Sequence, residues 1–207
     1  MKFHRSILAF TASTVPGCWL FVIAILIFTL GLSEKPSFAE AGSASKTSTD
    51  LSIREVPSSR EDDPFSGISF PTIYKSGHGV CTNDDGLPVI LLFTSSTCPH
   101  CKWVGDIFDI IVKYYISSGL IEAHHFDLVT GDDLLTEKVE TQIPPAYLKL
   151  RANGDPKGLV PYFNFSCEFE RIGNGYEKTD DLAAEGEEIR KVIETLIQVL
   201  PKSEKKN

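Results

Sequence analysis

The chain has 207 residues, of which 42% are hydrophobic, 23% charged and 10% aromatic. Those fractions fit a folded soluble domain with appendages, and they exclude a collagen-like or wholly disordered chain. Twenty basic against 28 acidic residues give a net charge of −8, which argues against a broad nucleic-acid surface.

The first 39 residues read as a targeting segment. Lys2 and Arg5 give a short basic start, and Cys18 to Leu32 is a fifteen-residue apolar run without a charge. Ser37-Phe38-Ala39 then places small residues at the −3 and −1 positions of a cleavage site. That order is the pattern of a secretory signal peptide. The competing reading is an uncleaved membrane anchor through 18–32, since apolar character reaches back to Ile7 with interruptions. Either way the remainder is expected to be exported, to a periplasm, a cell surface or a lumen, as a secreted or membrane-anchored protein. Disulfides persist in such compartments. Setting aside Lys2, Arg5, Lys35 and Glu34 leaves 17 basic and 27 acidic residues in 40–207. Four cysteines remain there, Cys81, Cys98, Cys101 and Cys167, an even number that permits two pairs.

Residues 40–64 hold three large aliphatics, Leu51, Ile53 and Val56, among Ser, Thr, Ala, Gly, Pro and charge. Such a stretch buries too little surface to offset its ordering entropy, so a disordered linker is expected. The folded domain is expected over 65–201, followed by a charged tail at 202–207. Phe65, Ile68, Phe70 and Ile73 suggest a short edge element, and Asn83-Asp84-Asp85-Gly86 a turn. Leu87 to Phe93 is a continuous apolar run that suits a central strand buried on both faces. From Cys101 to Ser118 the apolar positions Val104, Ile107, Phe108, Ile111 and Tyr115 follow helical spacing, with Gly119 placed to end the helix. Leu120 to Val129 reads as a second strand. Thr130-Gly131-Asp132 predicts the start of a helix running to about Thr141. Pro144-Pro145 opens a short helix over 146–152, closed by Asn153-Gly154. Tyr162–Phe165 and Glu168–Ile172 predict a hairpin. Ile189, Val192, Ile193, Leu196 and Leu200 line a last amphipathic helix, stopped at Pro201. The order strand, helix, strand, helix, hairpin, helix predicts an α/β fold, a mixed sheet with helices on both faces.

The chemistry concentrates at Cys98-Pro99-His100-Cys101, between a buried strand and a helix. A helix N-terminus offers unpaired N–H groups and partial positive charge, which stabilise a thiolate at Cys98. Two intervening residues let the sulfurs meet in a small ring. Pro99 and His100 sit where they tune the redox balance, His100 by charge or hydrogen bonding. Cys98, at the helix start, is the expected attacking thiol. Cys101, one turn in and more covered, is the expected resolving thiol.

With these residues in place, residues 80–200 resemble the thioredoxin-fold thiol–disulfide oxidoreductases, and the CPHC motif is similar to that of the DsbA-like branch. The resemblance rests on Leu87–Phe93, the motif with Lys102, Gly158-Leu159-Val160-Pro161 before a strand pair, and the last helix. It implies a thioredoxin-like mixed central sheet. It also implies that Pro161, preceded by Val160, is a cis proline facing the two cysteines, in a loop that pairs with extended substrate backbone. Three departures stand out. Leu92 occupies the position six residues before Cys98 where thioredoxins carry a buried acid, so a carboxylate relay from there is absent. The spacing from Cys98 to Pro161 exceeds that of plain thioredoxin but is too short for the whole DsbA helical insertion. Tyr162 stands where thioredoxins commonly carry Thr.

In the predicted sheet Cys167 lies at the end away from the motif, near the start of the central strand, which Cys81 precedes. A structural Cys81–Cys167 disulfide is the expectation, against two separate buried thiols. His124-His125 on a strand is more simply structural than metal-binding. Trp103 reads as a packing residue, and the acidic run Asp180–Glu188 as the dipole-favoured start of the last helix. The leading expectation is an exported enzyme that exchanges disulfides with cysteine-containing substrate proteins, leaning to oxidase or isomerase, served by a redox recycling partner. It calls for no cofactor and no nucleic acid. The alternatives are a metal-binding module using Cys98, His100 and Cys101 as soft ligands, or a non-catalytic interaction module on the same fold.

Overall fold

The computed structural model describes residues 54–56 and 63–200, so the expected targeting segment, most of the expected linker and the charged tail lie outside the described residues. The strands are β1 (Arg54–Val56), β2 (Tyr74–Lys75), β3 (Val80–Thr82), β4 (Val89–Thr94), β5 (Glu122–Asp127), β6 (Tyr162–Phe165) and β7 (Phe169–Ile172). The helices are α1 (Pro99–Ser117), α2 (Pro145–Gly154) and α3 (Leu182–Val199), with a single 3-10 turn at Glu177–Thr179.

The five-stranded sheet has the order β2-β7-β6-β4-β5. β4 lies beside parallel β5 on one edge and antiparallel β6 on the other, and all six of its residues are buried. Its alternating side chains serve two cores. Ile90 and Leu92 join Phe163 and Phe165 against Val104, Phe108 and Ile111 of α1 and Ile189, Val192 and Leu196 of α3. Val89, Leu91 and Phe93 join Phe126 and Tyr162 against Tyr147 of α2. A strand covered on both faces reads as an unbroken apolar run, which is why Leu87–Phe93 carries no alternation. Helices on both faces of this mixed sheet, with the strand, helix, strand, helix, hairpin, helix order, are consistent with the thioredoxin-like fold expected.

A buried ionic cluster fixes the outer hairpin strand to the last helix. Arg171 of β7 pairs with Glu185 and with Glu188, the latter at 3.3 Å, and also reaches Thr72 Oγ1 at 2.8 Å. Glu185 additionally accepts the N–H groups of Gly175 and Tyr176. The guanidinium lies 4.5 Å from the centre of the Phe163 ring. Nearly every polar atom is therefore matched, as a buried charge requires.

Three expectations change. The helix over 130–141 is absent; the chain folds back on the edge of β5 as a loop. Asp133 explains this, since Oδ1 accepts the N–H groups of His125 and Leu135, while Asp132 accepts that of Glu140. Aspartates offer the backbone such alternatives to helix. Gly131 allows the turn: it has φ +79°, and a β-carbon there would lie 2.6 Å from the Thr141 carbonyl oxygen. Next, Phe65 and Ile73 are buried, but the edge strand itself is Tyr74–Lys75. Lastly, Arg54–Val56, inside the stretch expected to be a disordered linker, pairs antiparallel with β3. Backbone pairing with an existing strand supplies the partners that composition alone does not reveal.

Candidate active site

The loop after β4 delivers Cys98 to the N-cap of α1. Its backbone is extended (φ −90°, ψ 118°), and Pro99 occupies the first turn, where the missing N–H costs nothing. Cys98 Sγ accepts the N–H of Cys101 at 3.3 Å, so the sulfur itself is the helix cap. The N-terminus of α1, with its unpaired N–H groups and the positive end of its dipole, faces that sulfur. The thiol also lies 4.0 Å from the Val160 carbonyl oxygen. The Val160–Pro161 peptide is cis, and Pro161 is buried while Val160 is half-exposed. The loop before β6 thus faces the Cys98 sulfur, with the Val160 carbonyl directed toward it.

Cys98 is partly accessible; Cys101 is 3% exposed. Burial, aided by the hydrogen bond with Cys98, pushes the Cys101 thiol up to about 12. The two sulfurs are therefore unequal, one accessible and capped, the other covered and held as a thiol.

His100 is exposed, and its Nδ1 bonds Glu177 Oε1 at 2.7 Å. Burial opposes ionisation of Glu177, but hydrogen bonds from His100 and Asn174 leave its carboxyl below the ordinary value. Asn174 Nδ2 donates to the His100 carbonyl oxygen at 2.9 Å, and Trp103 Nε1 donates to Asp180 at 3.0 Å. The segment between β7 and α3 therefore clasps the first turns of α1. The acidic run is not uniformly a dipole device: Asp181 caps α3, Asp180 holds Trp103, and Glu185 and Glu188 serve Arg171. Sequence gave no sign of the Asn174–Glu177–His100 contacts, which join residues 74–77 positions apart. Among the described residues no group of three or more His, Cys, Asp or Glu side chains is arranged to hold a metal ion.

Cys81 and Cys167 form a disulfide, with Cα atoms 5.2 Å apart and both residues buried. It sits at the end of β4 away from Cys98. There Ser166 donates its hydroxyl to the Cys81 carbonyl at 2.6 Å, and its N–H to that of Val89 at 2.7 Å. Leu92 is fully buried in the core, and behind Cys101 lies a cavity of about 400 Å³ lined in part by His125, which the sequence marked only as a structural strand residue. The adjacent histidines point to opposite faces of β5, each with an acidic partner. His124 lies between Glu122 and Asp133, and His125 beside Asp109.

No protein-family model matches the chain. No curated protein matches it either. Among solved structures it is similar to StoA from Bacillus subtilis, at 16% identity and a TM-score of 0.29, over 56% of this chain and 99% of that one. The reading of the fold rests on strand order, helix placement and the position of the cysteine pair.

Proposed function

We propose that the chain is an exported protein thiol–disulfide oxidoreductase that exchanges disulfides with substrate proteins through Cys98 and Cys101, acting in the oxidase or isomerase direction. The observation that carries this reading is the Cys98 sulfur capping α1 beside the Val160–Pro161 loop, with a covered thiol one turn behind it.

In the oxidising direction a substrate thiolate attacks Cys98 Sγ of the Cys98–Cys101 disulfide, and Cys101 leaves as a thiolate and takes up a proton. A second substrate thiolate then attacks the substrate sulfur of the mixed disulfide, and Cys98 departs. The substrate loses two electrons and two protons as its disulfide forms; the enzyme pair gains both electrons, Cys101 takes one proton, and the other passes to solvent while Cys98 stays a thiolate. A recycling partner reoxidises the pair. The stability of the departing Cys98 thiolate favours this direction, because a stabilised reduced form makes a stronger oxidant. Val160 and Pro161 present backbone beside the reacting sulfur, suited to an extended substrate segment.

The test is oxidative refolding of reduced RNase by the chain, with Cys98→Ser alongside and the Cys98/Cys101 couple equilibrated against glutathione. Refolding that is lost in Cys98→Ser, with a potential well above that of thioredoxin, is the expected result. A potential at or below thioredoxin's overturns the oxidase direction, and refolding unaffected by Cys98→Ser overturns the enzyme.

A further inference from the structure

Cys101 must gain or lose a proton in every cycle, and Leu92 leaves no carboxylate beneath it on the central strand. The cavity behind Cys101 offers another route. It is lined by Cys101, Gly105 and Asp109 of α1, Thr94 of β4, and His125 and Asp127 of β5. His125 is the β5 partner of Leu92 in the sheet register, so it occupies the neighbouring position on the same face. Its ring lies beneath α1 beside Gly105, where a β-carbon would lie 3.4 Å from His125 Cε1. His125 is only 4% exposed, and both ring nitrogens are engaged: Nδ1 with Asp109 Oδ1 at 2.7 Å and Nε2 with Thr94 Oγ1 at 2.9 Å.

We propose that His125 exchanges the proton of Cys101 across this cavity, with Asp109 and Thr94 as positioning residues that fix its tautomer. The proposal rests on the redox role of the Cys98–Cys101 pair.

The hydrogen bonding sets the roles of the two nitrogens. Asp109 is the acceptor that keeps the proton on Nδ1, which leaves Nε2 as the basic nitrogen. When Cys101 attacks Cys98 of a mixed disulfide, the S–H bond breaks, the sulfur keeps the electron pair to form the new S–S bond, and the proton passes to Nε2. The former partner sulfur of Cys98 leaves as a thiolate. In the reverse direction Nε2 returns the proton to the departing Cys101 sulfur. Thr94 accommodates either state. It donates to the neutral ring, and once Nε2 is protonated it accepts from it and turns its own hydrogen to the Phe126 carbonyl, 3.4 Å away. Asp109 balances the imidazolium charge. Its side chain is 21% exposed, which connects the chain to solvent.

Asp127 is the rival acceptor in the cavity, but its oxygens already take the N–H groups of Ser96 and Val129 and the hydroxyl of Thr130. It fixes the loop before Cys98. The charged groups around the His125 ring are Asp109, Asp106 and Lys102 from α1 and Asp127 from β5, while Asp133 takes the His125 backbone N–H. Phe108 packs edge-on against the ring at 5.8 Å.

The experiment uses the full reduced chain carrying Cys18→Ala, so that Cys98 and Cys101 are its reactive thiols, and Ellman's reagent, which releases one thionitrobenzoate when Cys98 attacks and a second when Cys101 resolves the mixed disulfide. For His125→Gln the first phase is expected within twofold of wild type. The second is expected to slow about 100-fold at neutral pH, the scale of general acid–base catalysis, and to change its pH profile. Asp109→Asn is expected to change the same profile and slow the second phase less. Should His125→Gln lose its near-ultraviolet circular dichroism, Asp109→Asn decides alone. A second phase within twofold of wild type, with an unchanged pH profile, in whichever of these variants folds overturns the proposal. A wild-type chain that releases no second thionitrobenzoate instead overturns the redox reading beneath it.

Discussion

Removing the Cys81–Cys167 disulfide is the sharpest test of how this domain is held together. The bridge joins residues 86 positions apart, from the strand before the central one to the turn of the last hairpin. Closing a loop of that length restricts the unfolded chain by about 15 cal/mol/K, or about 4.6 kcal/mol at room temperature, by the chain-entropy relation. That is a large part of the stability of a domain this size. Cys81→Ala with Cys167→Ala avoids placing serine hydroxyls in a site only 2% exposed at each residue. Urea unfolding followed by circular dichroism should give a loss of about 3–5 kcal/mol, with a larger dependence on urea because the unfolded chain expands. Cys167 has φ +59°, a conformation in which any β-carbon is strained, so Cys167→Gly in the same background should lose less than Cys167→Ala. A loss below about 1 kcal/mol would refute the entropic argument.

Three other outcomes are expected. Iodoacetamide at neutral pH should label Cys98 and spare Cys101, whose thiol is pushed up to about 12 by burial; peptide mass spectrometry finding equal labelling would contradict the assigned order. Arg171→Ala should cost about 3–5 kcal/mol in urea unfolding, because Glu185 and Glu188 stay buried without their cation, whereas Arg171→Met with Glu185→Gln and Glu188→Gln should recover much of it. The His124 site should give a two-sided pH dependence. Burial opposes its charge, but Asp133 and Glu122 raise His124 from 6.5 to about 9, so its contribution is complete below about 6.5 and lost as pH rises through about 9. Hydrogen bonds from His124, Tyr147 and Asn83 outweigh burial and lower Glu122 from 4.5 to about 2, so its contribution is complete above about 4.5 and lost as pH falls toward about 2. His124→Gln should flatten both limbs of stability against pH, and a variant that keeps the wild-type curve would exclude this cluster as the cause.

The elements legible in the sequence were those whose pattern reports burial directly. Leu87–Phe93 is apolar throughout because both faces of β4 are covered, and the spacing of Val104, Phe108, Ile111 and Tyr115 follows from one face of α1 meeting the core. The motif was legible because its chemistry depends on two residues three apart. The loop after β5 was misread because side-chain bonds from Asp132 and Asp133 decide it, and helix-start chemistry and loop-closing chemistry use the same residue types. The grouping of polar residues behind Cys101 was not legible for a different reason. Thr94, Asp109 and His125 come from three elements, and only the parallel register of β4 with β5, under a helix carrying Gly105, brings them together.

Cys81 and Cys98 flank a central strand of six residues, so the two cysteine pairs stand about 20 Å apart at opposite rims of the sheet. No sulfur of one pair reaches the other while the sheet persists. Electrons entering through the motif therefore have no internal path to the bracing crosslink, and the folded chain should take up two electrons rather than four. The motif is insulated from scrambling its own scaffold.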